Sequence, residues 1–442
     1  MSTINNYDYI KSRYKKIIYR SYNYILKEDI LEIEYEFEIE NLQVFNPRWS
    51  INRLGIYMYN ENKLENLIFN LGMVELVSYY KAVCCEDIEI QCGYLSDKQI
   101  EFYKKLYFNG LGEFFYLNKI DPNNVTMNIY STIKENKFNA QYEAKRNTRV
   151  LVPIGGGKDS VVTLELLKDK FDITAYIINP RLATTECVKN SGINNKLIVN
   201  RILDKKLIQL NKSGFLNGHT PYSAIVAFSS VLSAYINNIS YVALSNEDSA
   251  NESTVVGTNI NHQYSKSFEF EQDFINYHKE FINTHVDYFS LLRGYTESKI
   301  ASIFSKHYKY HGVFKSCNVG SFTDIWCNNC SKCLFVYIIL SPFLSKEQLN
   351  NIFTEDLLNN KELLIDFRKL IGLIPEKPFE CVGSINEVNA SIQYTIKHYK
   401  GKLPILLQYY VDNYKGEEYN LDDIINNFND NNAIPKIFKG IL

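Results

Sequence analysis

Eight consecutive residues, Pro153-Ile-Gly-Gly-Gly-Lys-Asp-Ser160, combine groups that attract an anion with one that repels it. Glycines let the chain turn tightly enough for several backbone N–H groups to converge, and a helix starting at their end adds partial positive charge. Ser160 can cap that turn or donate to a phosphate oxygen. Asp159 beside a phosphate would set like charges together, so a magnesium ion between them is implied. The segment is not a Walker A loop, because Val152 stands where its first glycine belongs and Asp159 where Ser or Thr should follow Gly-Lys. Nor is it the dinucleotide fingerprint, whose third glycine is replaced by Ser160. A plain tight turn between a strand and a helix is the alternative without chemistry.

Further along, Cys317-x9-Cys327-x2-Cys330-x2-Cys333 has the spacing of a closed four-thiolate metal site. Cys-x2-Cys pairs bring neighbouring thiolates to one ion at about 2.3 Å in an unstrained tetrahedron. Four protein ligands leave no open position, so the expected metal is structural zinc, with an iron–sulfur cluster as the rival.

Between these motifs lie groups able to move protons. Asn217-Gly-His219-Thr220 precedes a helical run, and Ser245-Asn-Glu247 follows a strand-like one. His262 and Lys266 stand four apart, on one face if helical. His219, Glu247, His262 and Lys266 are the candidate acid/base groups; each histidine also has a purely structural reading. Arg293 can bind a carboxylate or phosphate bidentately. Cys381 reads either as an acid/base thiol or as a small buried hydrophobe.

These side chains need a scaffold, and the flanking pattern predicts one. Val150–Ile154 is a short apolar strand entering the glycine loop, and Ser160–Lys168 is an amphipathic helix leaving it. Strand-like runs at about 172–179, 197–202 and 241–245 alternate with helical stretches such as 222–237, which predicts a parallel sheet with helices on both faces. Ligands gather at the carboxyl ends of such strands, where the glycine loop and Ser245–Glu247 both fall. Residues 31–40 alternate apolar and acidic side chains, so Glu32, Glu34, Glu36, Glu38 and Glu40 should form the wet face of an antiparallel strand. Helices are predicted over 62–83 and 97–118, the second interrupted at Gly110-Leu-Gly112, and residues 345–442 read as mostly helical. The expected organisation is an α+β domain over 1–140, an α/β domain with a doubly wound parallel sheet over 145–340 that ends in the cysteine site, and a helical region over 341–442.

Composition bounds the function. Of 442 residues, 45% are hydrophobic and 22% charged, enough for a sizeable core and too apolar for wholesale disorder. Lys plus Arg total 48 against 50 Asp plus Glu, and a net charge of −2 argues against a nucleic-acid partner. The longest apolar run, Cys333–Leu340, falls far short of the roughly 18 residues that would suggest a membrane span. Nine unevenly clustered cysteines and a polar first stretch, MSTINNYDYIKSRYKK, point to a reducing cytoplasm.

Residues 155–160 resemble the Ser-Gly-Gly-x-Asp-Ser signature of the PP-loop (ATP pyrophosphatase) family, with Gly155 in place of the leading Ser and Lys158 at the variable position. Within that family the whole set of segments is similar to the UDP-N-acetylmuramoyl-L-alanyl-L-glutamate epimerases. The set comprises Leu71–Glu75, Gly110–Phe115, Gly155–Ser160, Asn217–His219, Ser245–Glu247, Asn261–Lys266, the four cysteines and Lys377–Gly383. Arg293-Gly-Tyr295 departs from the Arg-Pro expected there. The resemblance implies an adenine-nucleotide hydrolase-like fold, ATP and magnesium held by Gly155, Gly156, Gly157, Lys158, Asp159 and Ser160, and a UDP-muramoyl dipeptide as the small-molecule substrate. It implies transfer of AMP to the terminal glutamate carboxylate, proton exchange at the α-carbon, and release of AMP and pyrophosphate. The rival readings are another adenylating enzyme that forms an amide, nitrile or thioamide, and a nucleotide-binding protein without enzymatic activity.

Overall fold

The computed structural model describes residues 6–138, 146–251 and 263–441. Its strands are β1 (Lys16–Leu26), β2 (Ile30–Ile39), β3 (Gln43–Phe45), β4 (Arg48–Asn52), β5 (Asp87–Ile90), β6 (Asn128–Ser131), β7 (Arg149–Pro153), β8 (Asp172–Ile178), β9 (Lys196–Ile202), β10 (Tyr241–Leu244) and β11 (Asp287–Ser290). They form one sheet in the order β11-β10-β7-β8-β9-β4-β2-β1-β5-β6, with β3 also paired to β2. The parallel arrangement expected after residue 149 is seen for β7 with β10. The sheet as a whole is mixed, because β2 runs antiparallel to β1, β3 and β4, and β4 to β9. A connection as short as the one between Leu26 and Ile30 cannot make the crossover that parallel pairing requires.

By compactness the chain divides into two units. The first comprises Met1–Leu151, Leu197–Val242 and His262–Tyr288. Here β2 buries Leu31, Ile33, Tyr35, Phe37 and Ile39. The opposite face is not bare acid: Lys27 pairs with Glu32, Arg48 with Glu34, and Arg20 with Glu36 and Glu38. Such exposed cross-strand pairs stabilise little individually and mainly remove like-charge repulsion. The helix Glu61–Tyr80, capped by Asn60, is buried on nearly every face and packs on β1, β2 and the helix Tyr222–Ile236. The predicted interruption is real: one helix runs Asp97–Gly110 and the next Gly112–Leu117. A Cβ at Gly110 would lie 2.7 Å from Cβ of Pro221, so close packing demands glycine there.

The second unit comprises Val152–Lys196, Ala243–Asn261 and Phe289–Leu442. Its core centres on the helix Ser331–Leu340, every residue of which is buried. The longest apolar run of the sequence is thus a core helix, and among the described residues no helix is long and apolar enough to cross a membrane. The helices Lys346–Phe353, Leu364–Leu370 and Ile385–His398 follow, in line with the helical expectation for this region.

Candidate active site

In the second unit β7 delivers the chain into the glycine loop, and the helix Lys158–Leu167 leaves it. Gly156 has φ +84°, and a Cβ there would come within 3.2 Å of Ala183 and Thr184 backbone atoms. A Cβ on Gly157 would lie 2.6 Å from Ser316 Oγ. The turn therefore depends on glycine at Gly156, whereas at Gly157 only the Ser316 hydroxyl would have to turn away. Gly155, where the resemblance expects Ser, has no atom within 4 Å of a Cβ. Lys315 N donates to Gly156 O at 2.9 Å and Ser160 Oγ to Gly157 O at 3.0 Å, which fixes the loop from both sides. Gly157 caps the helix without a side-chain bond. A glycine at that position leaves its helix start without a side-chain cap of its own, which suits an anion-binding helix start.

Three carboxylates gather beside this loop. Asp159 comes from its helix, Glu247 from the turn after β10, and Glu297 from the start of the helix Glu297–Phe304 after β11. Their oxygens lie within 4.8 Å of one another. Lys158 Nζ, almost wholly buried, is hydrogen-bonded to both Asp159 and Glu297. Burial opposes its charge, yet Asp159 and Glu297 hold it above the ordinary lysine range. Burial pushes Glu297 up to about 8 against the pull of Lys158, with Asp159 and Glu247 adding like-charge repulsion. Three carboxylates thus converge in a largely buried place. An all-oxygen donor set of that kind fits a hard divalent cation.

The surroundings hold the acids in place. Arg293, fully buried, donates from Nη1 to Glu247 O at 2.8 Å. Ser249 Oγ donates to Glu247 Oε1 at 3.4 Å. Thr163 and Ser245 hydroxyls meet at 2.8 Å, tying the loop helix to the turn after β10. The segment Lys377–Gly383 packs alongside: a Cβ on Gly383 would lie 3.3 Å from Glu297 Cβ. Lys332 Nζ donates to Cys381 O, and Lys377 Nζ to Gly383 O at 3.1 Å. The Cys381 backbone is thus engaged, and its thiol is half-buried.

The four predicted cysteines converge in the same unit. Cys317 and Cys330 Sγ are 4.0 Å apart, Cys327 and Cys333 3.7 Å, and Cys330 and Cys333 3.5 Å. A tetrahedron with ion–sulfur bonds of about 2.3 Å has edges of about 3.8 Å, whereas a disulfide needs about 2.05 Å. A four-iron cluster would attach each thiolate to a different iron and spread them wider than a single shared ion does. Gly320 N–H donates to Cys317 Sγ at 3.1 Å. Hydrogen bonding from Cys333 lowers the Cys330 thiol to about 5, while burial and its neighbours push Cys327 up to about 12. Four thiolates cannot share this space without a cation to balance them. The cluster could hold zinc.

Of the remaining acid/base candidates, His219 and Lys266 lie in the first unit. His219 Nδ1 is 3.4 Å from Glu113 Oε2. Lys266 ends a three-residue 3-10 turn, Tyr264–Lys266, and does not extend a helical face. The physical reason is Ser267, which adopts extended backbone and accepts from Phe270 N to start a new helix. His262 lies outside the described residues. Sequence reasoning missed Glu297 and Lys332. Thr296-Glu297 carries only a helix-start signal, a capping hydroxyl followed by an acid, and nothing in it reveals that the carboxylate turns toward Lys158.

Two family models match the chain: the MurL N-terminal domain over residues 9–291 and the MurL C-terminal domain over residues 313–421. Curated relatives carry a consistent name. The chain is 33% identical over 337 residues to the UDP-N-acetyl-alpha-D-muramoyl-L-alanyl-L-glutamate epimerase of Xanthomonas oryzae pv. oryzae, covering 74% of each protein. It is 34% identical over 324 residues to the enzyme of that name from Salinispora tropica, covering 72% of this chain and 70% of the relative. The Micromonospora enzyme is 33% identical over 324 residues, 72% of each.

Proposed function

The chain belongs to the MurL epimerase family, and from that premise we propose that it converts the terminal L-Glu of UDP-N-acetylmuramoyl-L-Ala-L-Glu to D-Glu for peptidoglycan precursor synthesis, cleaving ATP to AMP and pyrophosphate. The chemistry explains the need for ATP. An ionised carboxylate makes its α-hydrogen a very poor acid, because deprotonation sets negative charge beside negative charge. Esterification with AMP removes that charge and lets the carbonyl accept the electron pair as an enolate. A base takes the α-proton, an acid returns one to the opposite face, and water releases AMP.

In this reading the PP-loop resemblance assigns nucleotide binding to residues 145–340. The backbone of Gly155, Gly156 and Gly157 and the first turn after them receive phosphate oxygens, and Ser160 holds the turn closed. Asp159, Glu247 and Glu297 would hold magnesium, with Lys158 hydrogen-bonded to Asp159 and Glu297. A bound magnesium ion neutralises phosphoryl charge during transfer. Cys317, Cys327, Cys330 and Cys333 would hold structural zinc, a role that requires reduced thiols and so favours the cytoplasm. Glu247, Lys266, His262 and His219 are the proposed proton-transfer groups.

The observation that carries the reading is the pairing of a glycine-capped helix start with three converging carboxylates beside it. One incubation tests it: the protein with ATP, magnesium and UDP-N-acetylmuramoyl-L-Ala-L-Glu in deuterated water. Deuterium at the glutamate α-carbon together with AMP is the expected result. AMP without exchange, formed only when an ammonia or sulfur donor is added, would instead identify a ligase. ADP as the nucleotide product would exclude both.

A further inference from the structure

The turns that carry Glu247 and lead into Glu297 are tied together by a segment that the reading above leaves without a task. It follows the helix Leu421–Asn426 and belongs, like both turns, to the second unit. Asn429 N donates to Gly294 O at 2.9 Å, in the turn after β11. Asn429 Nδ2 donates to Asp248 Oδ1 at 2.8 Å, in the turn after β10. One residue thus clips two turns that are far apart in sequence. Its two oxygens are engaged as well: Oδ1 accepts from Asn431 N at 2.9 Å, and O from Asn432 Nδ2 at 3.1 Å. The first of these closes an Asx turn, which fixes the direction of the side chain.

Packing seats the clip. Phe428 pairs with Tyr295 in an antiparallel bridge, and their rings meet edge to face at 5.6 Å. A Cβ on Gly294 would collide with the Phe428 ring, so glycine in place of the expected proline is what admits the segment. Thr296 Oγ1, one residue before Glu297, donates to Ile424 O at 3.3 Å. Further on, the wholly buried Phe438 lies against Phe171 and Phe289, with ring centroids at 4.6 and 4.7 Å. The segment is therefore anchored on both sides of Asn429. It lies beyond residue 421, where the match to the MurL C-terminal domain ends. The carboxylates of Glu247 and Glu297 lie within 4.8 Å and repel, which drives their turns apart. Asp248 N donates to Tyr295 O at 3.2 Å, and the clip adds an amide-to-carboxylate bond to that backbone link. A cation then meets ligands that are already gathered.

We propose that Asn429 is a positioning residue for the cation site: by clipping Asp248 to Gly294 it holds Glu247 and Glu297 at a separation that one divalent cation can span. The proposal rests on the reading of Asp159, Glu247 and Glu297 as the magnesium site. Asn429 acts through the two turns and sets the affinity for the cation before any nucleotide binds.

The test titrates manganese, a paramagnetic stand-in for magnesium, into the full chain without nucleotide and reads the free ion by electron paramagnetic resonance. Asn429→Ala is expected to raise the manganese dissociation constant about tenfold. Asp248→Ala should do the same, and the double variant should bind no worse than either single one, because all three break one link. The exchange Asp248→Asn with Asn429→Asp reverses donor and acceptor, and should bring the constant back to within about threefold of wild type. In pyrophosphate release, Asn429→Ala should raise the magnesium concentration for half-maximal rate by a similar factor and change the rate at saturating magnesium far less. Asn429→Ala that binds manganese like wild type, or that loses only stability in chemical denaturation, overturns the proposal alone. So does an exchanged pair that binds as poorly as the single variants. Wild type that binds no manganese saturably, or whose binding Asp159→Asn leaves unchanged, overturns the magnesium-site reading and this proposal together.

Discussion

Each unit buries a cluster of charge, and the two clusters differ in how they are composed. In the first, Arg201 meets the wholly buried Glu75 through Nε at 2.7 Å and Nη2 at 2.9 Å, with Ser78 Oγ accepting from Nη2 at 2.8 Å. Trp49 Nε1 donates to the same carboxylate at 3.3 Å. One positive and one negative charge cancel, and Arg201 Nε and Nη2 and Trp49 Nε1 all find acceptors. In the second, Asp159, Glu247 and Glu297 converge within 4.8 Å, and Lys158 pairs with Asp159 and Glu297. A buried pair closed by its own hydrogen bonds is a piece of scaffold, whereas converging carboxylates form a donor set that a further cation can use. Burial by itself does not mark a functional site; convergence of like charges does.

That contrast can be broken in three places. Glu75→Ala strands a buried guanidinium and should cost about 3–5 kcal/mol in chemical denaturation. A loss below about 1 kcal/mol would show that Arg201 finds another partner and that the pair is not scaffold. Asp159→Asn should do the opposite: pyrophosphate release should fall by about 10²–10³-fold while stability in the absence of ligands holds or rises, since it removes one of the converging charges. Unchanged turnover would take Asp159 out of the nucleotide site. The smallest effects sharpen the loop. Gly156→Ala should destabilise by about 1–2 kcal/mol through its left-handed backbone. Gly155→Ser, which restores the residue that the PP-loop signature expects, should stay within about 0.5 kcal/mol of wild type, since open space surrounds it. A larger loss at Gly155 than at Gly156 would contradict this account of the turn.

Local pattern made much of the scaffold legible. The acidic alternation of residues 31–40 became β2, the interruption at Gly110–Gly112 became a helix break, and the strand before the glycine loop became β7. The cysteine spacing was equally direct, because ligands close in sequence can meet one ion through local geometry alone. The four-residue spacing of His262 and Lys266 indicates a shared face only in a continuous helix; Lys266 itself ends a three-residue 3-10 turn, and Ser267 starts a new helix.

The amino-acid order alone determined those elements whose cause is short-range: the glycine turn, the alternating strand and the four-thiolate cluster. Only the tertiary structure decided that Glu297, more than 130 residues beyond the loop, joins Lys158, and that Glu113 comes within 3.4 Å of His219. Such encounters depend on how whole elements pack. A carboxylate's neighbours across a fold leave no mark on the residues beside it in the chain.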